Sequence, residues 1–407
     1  MTDSIEVLDY IMGSGKTSSI IKWMKDNPSN KYLFVSPLLS EVQDRIPTEA
    51  DTLDFVYPHT EQYTTKREHL KHLLRNERNI CFTHSLYSDM DKECLELINK
   101  GNYTLILDEE VNFIQAMEGY TRSDIKSLLE AQHISIDEND LGRVDWHWDI
   151  ENGHKYSKLK SLCELGCVYA FQSGSADKLS QTVTVHLPTQ LITSCSRVIL
   201  LTYGFNGGIL ERFLTLKNIG TKKMLEIDLS ERDNAIRKSI KDNITLLETP
   251  STKKVSRYSM SYSWWTSDSK LDERKEVFRA IKSVAKGRDI RANKLDFMYT
   301  LPKTVAERSS SKIISLPFED CFVSRSTRAT NIYQHKWCLV HAYNRRPNVS
   351  VQIYLRHYLH DVDDESFALY EMLQWIWRSR IRRNENIYVA ILPKRMKDLF
   401  IQWMDSV

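Results

Sequence analysis

The sequence predicts an α/β fold in which parallel sheets are flanked by helices, and three observations support this prediction. Short apolar runs alternate with helical patterns in the first half of the chain. The same alternation begins again after a polar segment at 217–223. A glycine-rich turn at 13–15 joins the first predicted strand to the first predicted helix. Alternation of strand and helix is typical of parallel sheets that are covered by helices on both faces.

The predicted elements of the first half define one sheet. Predicted strands cover 5–8, 31–37, 80–84, 105–107 and 197–203, and a predicted helix covers 68–78. Each strand is a short apolar run between polar segments, which is the pattern of a buried parallel strand. The region 118–196 is polar and mixed, and we expect an insertion of helices with a hairpin there. Trp146 and Trp148 of this region could stack on nucleic-acid bases, but we interpret them as packing residues.

The second half repeats the alternation and predicts a second domain. The polar segment 217–223 marks the boundary, which gives domains at 1–217 and 218–407. Predicted helices cover 271–285 and 367–383, a predicted strand covers 294–300, and further strand and loop material is expected at 323–331, 337–342 and 387–392. The helix at 271–285 carries Glu and Lys or Arg at helical spacing, as expected for an exposed face.

Composition indicates an intracellular protein of two or three domains. The chain has 407 residues, and its 41% hydrophobic content can fill a substantial core. No apolar run approaches the roughly 18 residues of a membrane span, and the N-terminus lacks the pattern of a secretory signal. Seven scattered cysteines fit a reducing compartment, and we interpret Cys163 and Cys167 as packing residues rather than zinc ligands. We therefore predict a cytoplasmic protein without a membrane partner.

A net charge of +2 gives the chain no global attraction to nucleic acid. Any such contact must come from local basic segments, which lie at 252–257, 288–291, 345–346 and 378–383. Short basic runs are mostly solvated surface, so none of these segments by itself predicts binding.

The turn after the first strand has the composition of a phosphate-binding loop. Its residues are Gly13, Ser14, Gly15, Lys16, Thr17 and Ser18. The two glycines allow a tight turn that presents N–H groups to phosphate oxygens. Lys16 adds a cation for the β- and γ-phosphates, and the Thr17 hydroxyl can ligate Mg²⁺. Tyr10 occupies the place of a further glycine in the complete motif, and the alternative interpretation is a glycine-rich turn with an incidental lysine.

Three acids follow the apolar run 105–107, at the end of the fourth predicted strand. Ligands bind at the C-terminal ends of strands in open α/β sheets. Asp108 is therefore expected to hold Mg²⁺, directly or through water, and Glu109 to polarise the attacking water. A solvated loop after a strand is the alternative interpretation. Together with the phosphate loop, the acids predict a protein that binds and hydrolyses a nucleoside triphosphate with Mg²⁺, and the choice of base stays open.

The predicted helix 367–383 carries a polar face. Gln374, Arg378 and Arg382 are each four residues apart, which places them on one side of a continuous helix. Arginines aimed at a γ-phosphate form an arginine-finger arrangement, which stabilises the charge of the transition state. The alternative is a basic surface helix in which Trp375 and Trp377 pack.

The chain resembles superfamily 2 helicases of the DEAD/DEAH type, in particular the compact helicase-like ATPases of tailed bacteriophages. Residues 12–17 match motif I of that family, and 108–111 resemble motif II. Looser matches are motif Ia at Ser36 and Pro37, motif Ib at Thr83 and His84, motif III at 201–204, motif V at 327–331 and motif VI at 374–382. The resemblance spans residues 5 to about 400.

The resemblance implies two RecA-like domains with ATP in the cleft between them and an insertion in the first domain. It implies contacts with nucleic acid, DNA in preference to RNA, through Ser36, Pro37, Thr83, His84, Thr330 and Asn331. The resemblance also implies a viral role in replication, recombination or remodelling. The expected further partners are phage or host replication proteins, and the expected location is the host cytoplasm. The oligomeric state, the polarity of unwinding and the choice between DNA and RNA stay open.

Motif VI departs from the family pattern. Trp377 stands where the family has glycine, and Ile381 stands where it has the second arginine. The second finger is therefore left open among Arg380, Arg382 and Arg383.

Two other classes of protein stay open. A phage packaging-type motor shares the phosphate loop and the acid strand, but it would normally add a nuclease domain with an acidic cluster. The acidic residues 361–365 look instead like the start of the helix that follows. A nucleotide-gated interaction protein without unwinding activity is the second alternative.

Overall fold

The computed structural model of the protein describes residues 4–151, 153–173, 180–287, 292–309, 319–324, 332–358 and 360–406. The chain divides into two compact units. The first unit comprises Met1–Asp9, Thr17–Ile227 and Pro347–Asp363, and the second comprises Tyr10–Lys16, Asp228–Arg346 and Asp364–Val407. The predicted linear boundary after residue 217 stays a prediction.

The elements up to residue 227 are, in chain order, β1 (Ser4–Asp9), α1 (Lys16–Asp26), β2 (Lys31–Ser36), α2 (Ile46–Glu49), α3 (Lys66–Arg75), β3 (Ile80–Thr83), α4 (His84–Ser88), α5 (Lys92–Gly101), β4 (Tyr103–Asp108), β5 (Ile114–Ala116), α6 (Arg122–Glu130), β6 (Ile134–Asp137), β7 (Arg143–Trp146), α7 (Ser157–Glu164), β8 (Val168–Ser173), β9 (Ser180–His186), α8 (Gln190–Thr193), β10 (Arg197–Thr202), α9 (Ile209–Leu216) and β11 (Gly220–Lys223).

The later elements are α10 (Ser230–Asn243), β12 (Ile244–Leu246), α11 (Pro250–Val255), α12 (Tyr262–Thr266), α13 (Leu271–Ala285), β13 (Phe297–Thr300), α14 (Lys303–Ser309), β14 (Cys338–His341), α15 (Val349–His357), α16 (Asp364–Ile376), β15 (Ile387–Ile391) and α17 (Lys394–Ser406). Among the described helices, none has the length and apolar character that crossing a membrane requires.

The main sheet of the first unit is parallel, as predicted. Its strand order within the described residues is β11-β1-β10-β4-β2-β3, and all neighbouring pairs run parallel. The central strands are apolar runs that are buried along most of their length, which explains why their sequences lack polar alternation. In the register, Leu201 pairs with Leu8 of β1 on one side and with Asp108 of β4 on the other. The C-terminal ends of β1, β10 and β4 therefore share one edge of the sheet.

The insertion is a second, antiparallel sheet. Its strand order is β5-β9-β8-β7-β6, and it has more strands than the single hairpin that the sequence suggested. A separate hydrophobic core accompanies this sheet, and Leu159, Cys163 and Val168 are buried members of it. Trp146 and Trp148 are half-buried against this core, and the Trp148 ring stacks on His133 with ring centroids 4.1 Å apart. The packing role expected for the two tryptophans is therefore observed.

A late segment of the chain, Pro347–Asp363, completes the first unit. Its helix α15 places Val351, Tyr354 and Leu355 in the core of that unit, where all three side chains are buried. The Tyr354 hydroxyl donates a hydrogen bond to the Leu141 carbonyl at 2.7 Å. The local sequence pattern does not predict that this segment belongs to the first unit, whereas the residues before and after it belong to the second.

The second unit contains a parallel sheet with the strand order β12-β15-β14-β13 among the described residues. Helix α13 has the predicted bounds, and it contributes several buried side chains to the core of this unit, including Val277, Phe278 and Ile281. The predicted α/β class, with helices beside parallel sheets, is thus confirmed in both units.

One predicted helix is too long. The pattern at 367–383 predicts a continuous helix, but α16 ends at Ile376 and a short 3₁₀ helix, Arg380–Arg383, follows a turn. The reason is a tertiary contact, because the Arg380 N–H donates to the Lys336 carbonyl at 2.9 Å and so leaves the helical ladder. The Ser379 hydroxyl donates to the Ile376 carbonyl at 2.7 Å and caps the end of α16.

Candidate active site

The glycine-rich loop between β1 and α1 has the backbone that its sequence predicts. Gly13 and Gly15 have φ angles of 83° and 91°, in the left-handed region that side chains disfavour. The Ser14 N–H donates to the Ile11 carbonyl at 3.3 Å and closes the turn. Because the loop follows the last residue of β1, it leaves the sheet at the edge where α/β folds bind ligands.

Two polar side chains of this loop, Lys16 and Ser14, differ in their hydrogen bonding. The Lys16 ammonium donates to the carbonyls of Tyr10 and Ile11 at 2.5 and 3.1 Å, so the loop wraps its own lysine. The Ser14 hydroxyl is fully buried and has no hydrogen-bond partner among the described residues. An unpaired buried hydroxyl costs free energy, and a phosphate oxygen would satisfy it. The loop therefore fits the phosphate chain of a nucleotide.

Helix α10 of the second unit holds the loop, which the sequence did not predict. The Ile11 N–H donates to the Asp233 carboxylate at 2.6 Å, and the Tyr10 hydroxyl donates to Asp228 at 3.0 Å. Asp233 is buried and also accepts from Arg237 Nε at 2.5 Å. These partners lie more than 200 residues from the loop along the chain. Their local sequence predicts only the acidic first turn of a helix and gives no sign of a contact with the loop.

A cavity of about 390 Å³ lies beside the loop in the second unit. Its lining includes Met12, Gly13, Ile236, Trp377, Arg382 and Arg383. Arg382 and Arg383 are exposed residues of the 3₁₀ helix Arg380–Arg383 and belong to this lining. Two of the three arginines left open as the second finger are thus near the phosphate loop, whereas the Arg380 guanidinium donates to the Asn386 carbonyl at 2.8 Å.

The predicted shared face of Gln374, Arg378 and Arg382 is wrong. Spacing by four residues aligns side chains only within a continuous helix, and α16 ends at Ile376, before both arginines. Gln374 is half-buried on α16. Arg378 is buried in the turn, and its Nη1 donates to the Ser324 carbonyl at 3.0 Å. The finger role of these residues stays a prediction.

Strand β4, which ends at the first of the three acids, has its C-terminal end at the same edge of the sheet as β1 and β10. Asp108 is the last residue of β4 and is half-buried. Glu109 has a φ of 66°, which is uncommon for a residue with a side chain and is often found at functional sites. Its N–H donates to the Leu201 carbonyl at 2.9 Å, which fixes this conformation. Thr17 at the start of α1 and Asp108 supply a hydroxyl and a carboxylate, the oxygen ligands that Mg²⁺ prefers.

Hydrogen bonds at this edge connect segments that are far apart in the sequence. The Thr202 hydroxyl donates to the Glu110 carboxylate at 3.1 Å. His84 Nε2 lies 2.9 Å from the Asp108 carbonyl and must donate to it, because a carbonyl can only accept. Asp9 at the end of β1 accepts the backbone N–H groups of Gly204 and Phe205 at 2.8 and 3.0 Å.

The residues predicted to contact nucleic acid differ in exposure. Ser36 is fully buried, its hydroxyl accepts from the Leu38 N–H at 3.4 Å, and Pro37 is half-buried. Thr83 lines a cavity of about 560 Å³ in the first unit, together with Thr65, Lys66, Arg67, Ser85, Leu86, Ser88 and Asp89. Thr330 and Asn331 lie outside the described residues. All of these contacts with nucleic acid stay predictions.

Ser18, the last residue of the predicted phosphate loop, is exposed. Its hydroxyl accepts a hydrogen bond from Arg45 Nη2 at 3.0 Å. Arg45 also pairs with Glu41 and Glu49 at 3.1 and 2.8 Å, so its charge is largely compensated. Arg45 belongs to none of the sequence motifs, so the sequence does not predict its contact with Ser18.

Three comparisons with known proteins bear on the fold. The YonV C-terminal Rossmann-like domain family matches residues 238–404. The SPbeta prophage-derived uncharacterized protein YonV of Bacillus subtilis (strain 168) is 28% identical over 424 residues, which covers 99% of this chain and 99% of that protein. A solved structure described as XPD_APO is similar with a TM-score of 0.54 at 15% identity, and the match covers 99% of this chain and 96% of that chain.

The likeness to XPD_APO is one of fold, since only 15% of the residues are identical. It agrees with the two parallel sheets and with the Rossmann-like match in the second half of the chain. The predicted fold class is therefore confirmed: the chain has two RecA-like α/β domains, with an insertion in the first.

Proposed function

We propose that the protein is a nucleic-acid-dependent ATPase that acts as a helicase or translocase. One observation carries the proposal. The phosphate loop begins directly after β1, and Asp108 ends β4 two strands away at the same edge of the sheet. A phosphate loop and an acidic strand end at one edge are the parts that phosphoryl-transfer sites of this type require.

The residues of this chain suit the individual tasks of ATP hydrolysis. Thr17 and Asp108 would hold Mg²⁺, which neutralises negative charge on the phosphates when it is bound. Lys16 adds positive charge at the phosphates, and the N–H groups of the glycine turn orient them. Glu109, held by its backbone bond to Leu201, would accept a proton from the attacking water.

The nucleic-acid part of the proposal depends on the cavity around Thr83. Thr65, Thr83 and Ser85 line this cavity together with Lys66 and Arg67. Hydroxyls and cations are the groups that contact phosphates of a nucleic-acid backbone. Such contacts carry no base information, so we expect binding that depends on salt more than on sequence.

A viral origin is part of the same proposal. The relative YonV is described as derived from the SPbeta prophage. We infer that this chain is also phage-encoded and acts on DNA during replication, recombination or remodelling. DNA is the favoured substrate over RNA in this setting.

The first prediction tests the nucleotide site. ATP turnover by the purified chain is measured with and without single-stranded DNA or RNA of the same sequence, in the wild type and in Lys16→Ala. We expect stimulation by nucleic acid, and a loss of turnover by roughly 10²-fold or more in Lys16→Ala, because the charge at the phosphates is removed. Lys22→Ala removes an exposed lysine of the same helix and is the matched control. Wild-type turnover in a folded Lys16→Ala protein would refute the assignment of the site.

A further inference from the structure

An arginine that belongs to none of the helicase-like motifs lies directly on the phosphate loop. A Cβ atom added to Gly15 would be only 2.8 Å from Nη1 of Arg232. Arg232 is an exposed residue in the first turn of α10. Both residues belong to the second unit. The space that a side chain at position 15 would occupy is thus taken by a guanidinium group.

In the proposed nucleotide site, Gly15 is where phosphate would come close to the backbone. A phosphate-binding loop uses glycine at such a position because the absence of a side chain lets the ligand approach its N–H groups. A guanidinium at this point would meet the phosphate oxygens at close range. Guanidinium groups bind phosphate through parallel N–H donors, with more directional hydrogen bonds than an ammonium group makes.

The backbone around Arg232 is anchored to the loop by one residue before α10 and one residue within it. Asp233, the next residue, accepts the Ile11 N–H at 2.6 Å, and Asp228, before the helix, accepts the Tyr10 hydroxyl at 3.0 Å. The base of the helix is therefore bound to the loop on both sides of Arg232. Arg237, one turn later, is paired with Asp233, whereas Arg232 forms no ion pair within the described residues.

A second observation points to a ligand at the loop. The Ser14 hydroxyl is fully buried and has no hydrogen-bond partner among the described residues. Lys16, the cation of the motif, donates to the loop carbonyls of Tyr10 and Ile11. An exposed arginine thus lies against the glycine turn that carries the unsatisfied hydroxyl, and no acidic partner of this arginine is found in the described part of the chain.

We propose that Arg232 is a phosphate-binding residue, which contacts the di- or triphosphate chain of the nucleotide held by the loop. This inference rests on the proposed nucleotide site, and it adds a residue that lies outside the sequence motifs. Arg232 differs from Arg382 and Arg383, which line the cavity beside Gly13 instead. An arginine beside Gly15 would contact the phosphate chain itself, so its contribution to binding affinity depends on the number of phosphates in the nucleotide.

The test measures binding of ATP, ADP and AMP to the full chain by titration calorimetry, in the wild type, Arg232→Ala and Arg232→Lys. Loss of a charge-assisted hydrogen bond should weaken ATP and ADP binding by roughly 10-fold or more. AMP binding should change less than about 2-fold, because a single phosphate does not reach the same donors. Arg232→Lys keeps the charge but not the planar donor pair, and we expect an intermediate loss.

Lys238→Ala is the matched control, since Lys238 is an exposed cation on the same helix. Melting temperatures establish that each variant is folded. If the wild type binds ATP and Arg232→Ala binds it equally well, the inference about Arg232 is overturned while the nucleotide site stands. An equal loss of ATP and AMP binding also overturns it, because the effect is then not on the phosphate chain. If the wild type binds none of the three nucleotides, the proposed function itself fails, and this inference fails with it.

Discussion

Glu109 and Glu110 are adjacent, but the backbone gives the two carboxylates different partners. Glu110 accepts a hydrogen bond from the Thr202 hydroxyl at 3.1 Å, which suits a role in connecting β4 to the end of β10. Glu109 adopts a left-handed backbone with a φ of 66°, and strain of this kind persists where surrounding contacts hold it. These differences favour Glu109 as the base that activates water.

Replacing each glutamate in turn distinguishes the two. Glu109→Gln keeps the shape but removes the proton acceptor, so we expect ATP to bind normally while kcat falls by roughly 10²-fold or more. Glu110→Gln keeps an oxygen that can accept from Thr202, and turnover should stay within a few-fold of the wild type. Single-turnover hydrolysis and ATP titration give both quantities. The reverse result, with Glu110→Gln inactive and Glu109→Gln active, would move the base by one residue.

At the level of elements, the turn between α16 and the 3₁₀ helix decides which arginines are accessible. Arg378 points into the interior and donates to the Ser324 carbonyl at 3.0 Å, while Arg382 and Arg383 line the cavity beside Gly13. A finger must reach developing charge on the phosphates. The geometry of this element therefore favours Arg382 and Arg383 as the candidates.

Alanine substitution separates the two kinds of arginine. Arg382→Ala and Arg383→Ala should preserve the melting temperature, and at least one of them should reduce turnover by roughly 10³-fold if it acts as a finger. Arg378→Ala leaves the Ser324 carbonyl without this donor, so we expect the free energy of unfolding to fall by about 1–3 kcal/mol. A stable Arg378→Ala protein with severely reduced turnover would restore the finger role to Arg378.

Strand β14 of the second unit carries a buried histidine at its end. Burial lowers the pKa of His341 to about 3, and its Nδ1 has no hydrogen-bond partner among the described residues. In the unfolded chain the pKa is about 6.5. Below that pH the unfolded chain binds a proton that the folded chain does not bind, so stability decreases as the pH falls from about 6.5 towards 3.

His341→Leu should remove this part of the acid sensitivity. The contribution is about 1.4 kcal/mol per pH unit, so between pH 6.5 and 4.5 the wild type should lose about 2–3 kcal/mol more than the variant. Denaturant unfolding of both proteins at the two pH values measures the difference. His335→Leu, which removes an exposed histidine of the same unit, is the control. Equal acid sensitivity in wild type and His341→Leu would contradict the prediction.

At the level of the whole molecule, the order of the sequence is not the order of the units. The first unit needs Pro347–Asp363, which follows more than 100 residues of the second unit along the chain. Tyr354 and Leu355 are fully buried in the first unit's core. Each large apolar side chain that loses such burial costs roughly 1.5–3 kcal/mol. A cut made at the predicted boundary would therefore expose part of this core.

Truncation tests this organisation. A fragment of residues 1–227 should aggregate or melt at a lower temperature than the same fragment joined by a flexible linker to residues 345–365. Adding Tyr354→Ala and Leu355→Ala to the fusion should abolish the rescue, because the buried side chains are then missing. Solubility and thermal unfolding are the measurements. A fragment of residues 1–227 that unfolds cooperatively at the temperature of the fusion would show that α15 is dispensable.

The sequence predicted the parts of the fold and site that depend on neighbouring residues. Strands β1, β2, β3, β4 and β10 followed from short apolar runs, and the bounds of α13 followed from helical periodicity. The turn at Gly13 and Gly15 followed from the need for positive φ angles. The end of α16 did not follow, because it depends on the carbonyl of Lys336, which is distant along the chain.

The sequence by itself thus determined an α/β chain with a phosphate-type loop and an acidic strand end, since both are encoded by short local patterns. Only the tertiary structure decided that Arg232 lies on Gly15, that Asp233 holds the loop, and that α15 completes the first unit. These contacts join residues more than 100 positions apart in the chain. Their formation depends on which surfaces pack together, and local propensity carries no information about that choice.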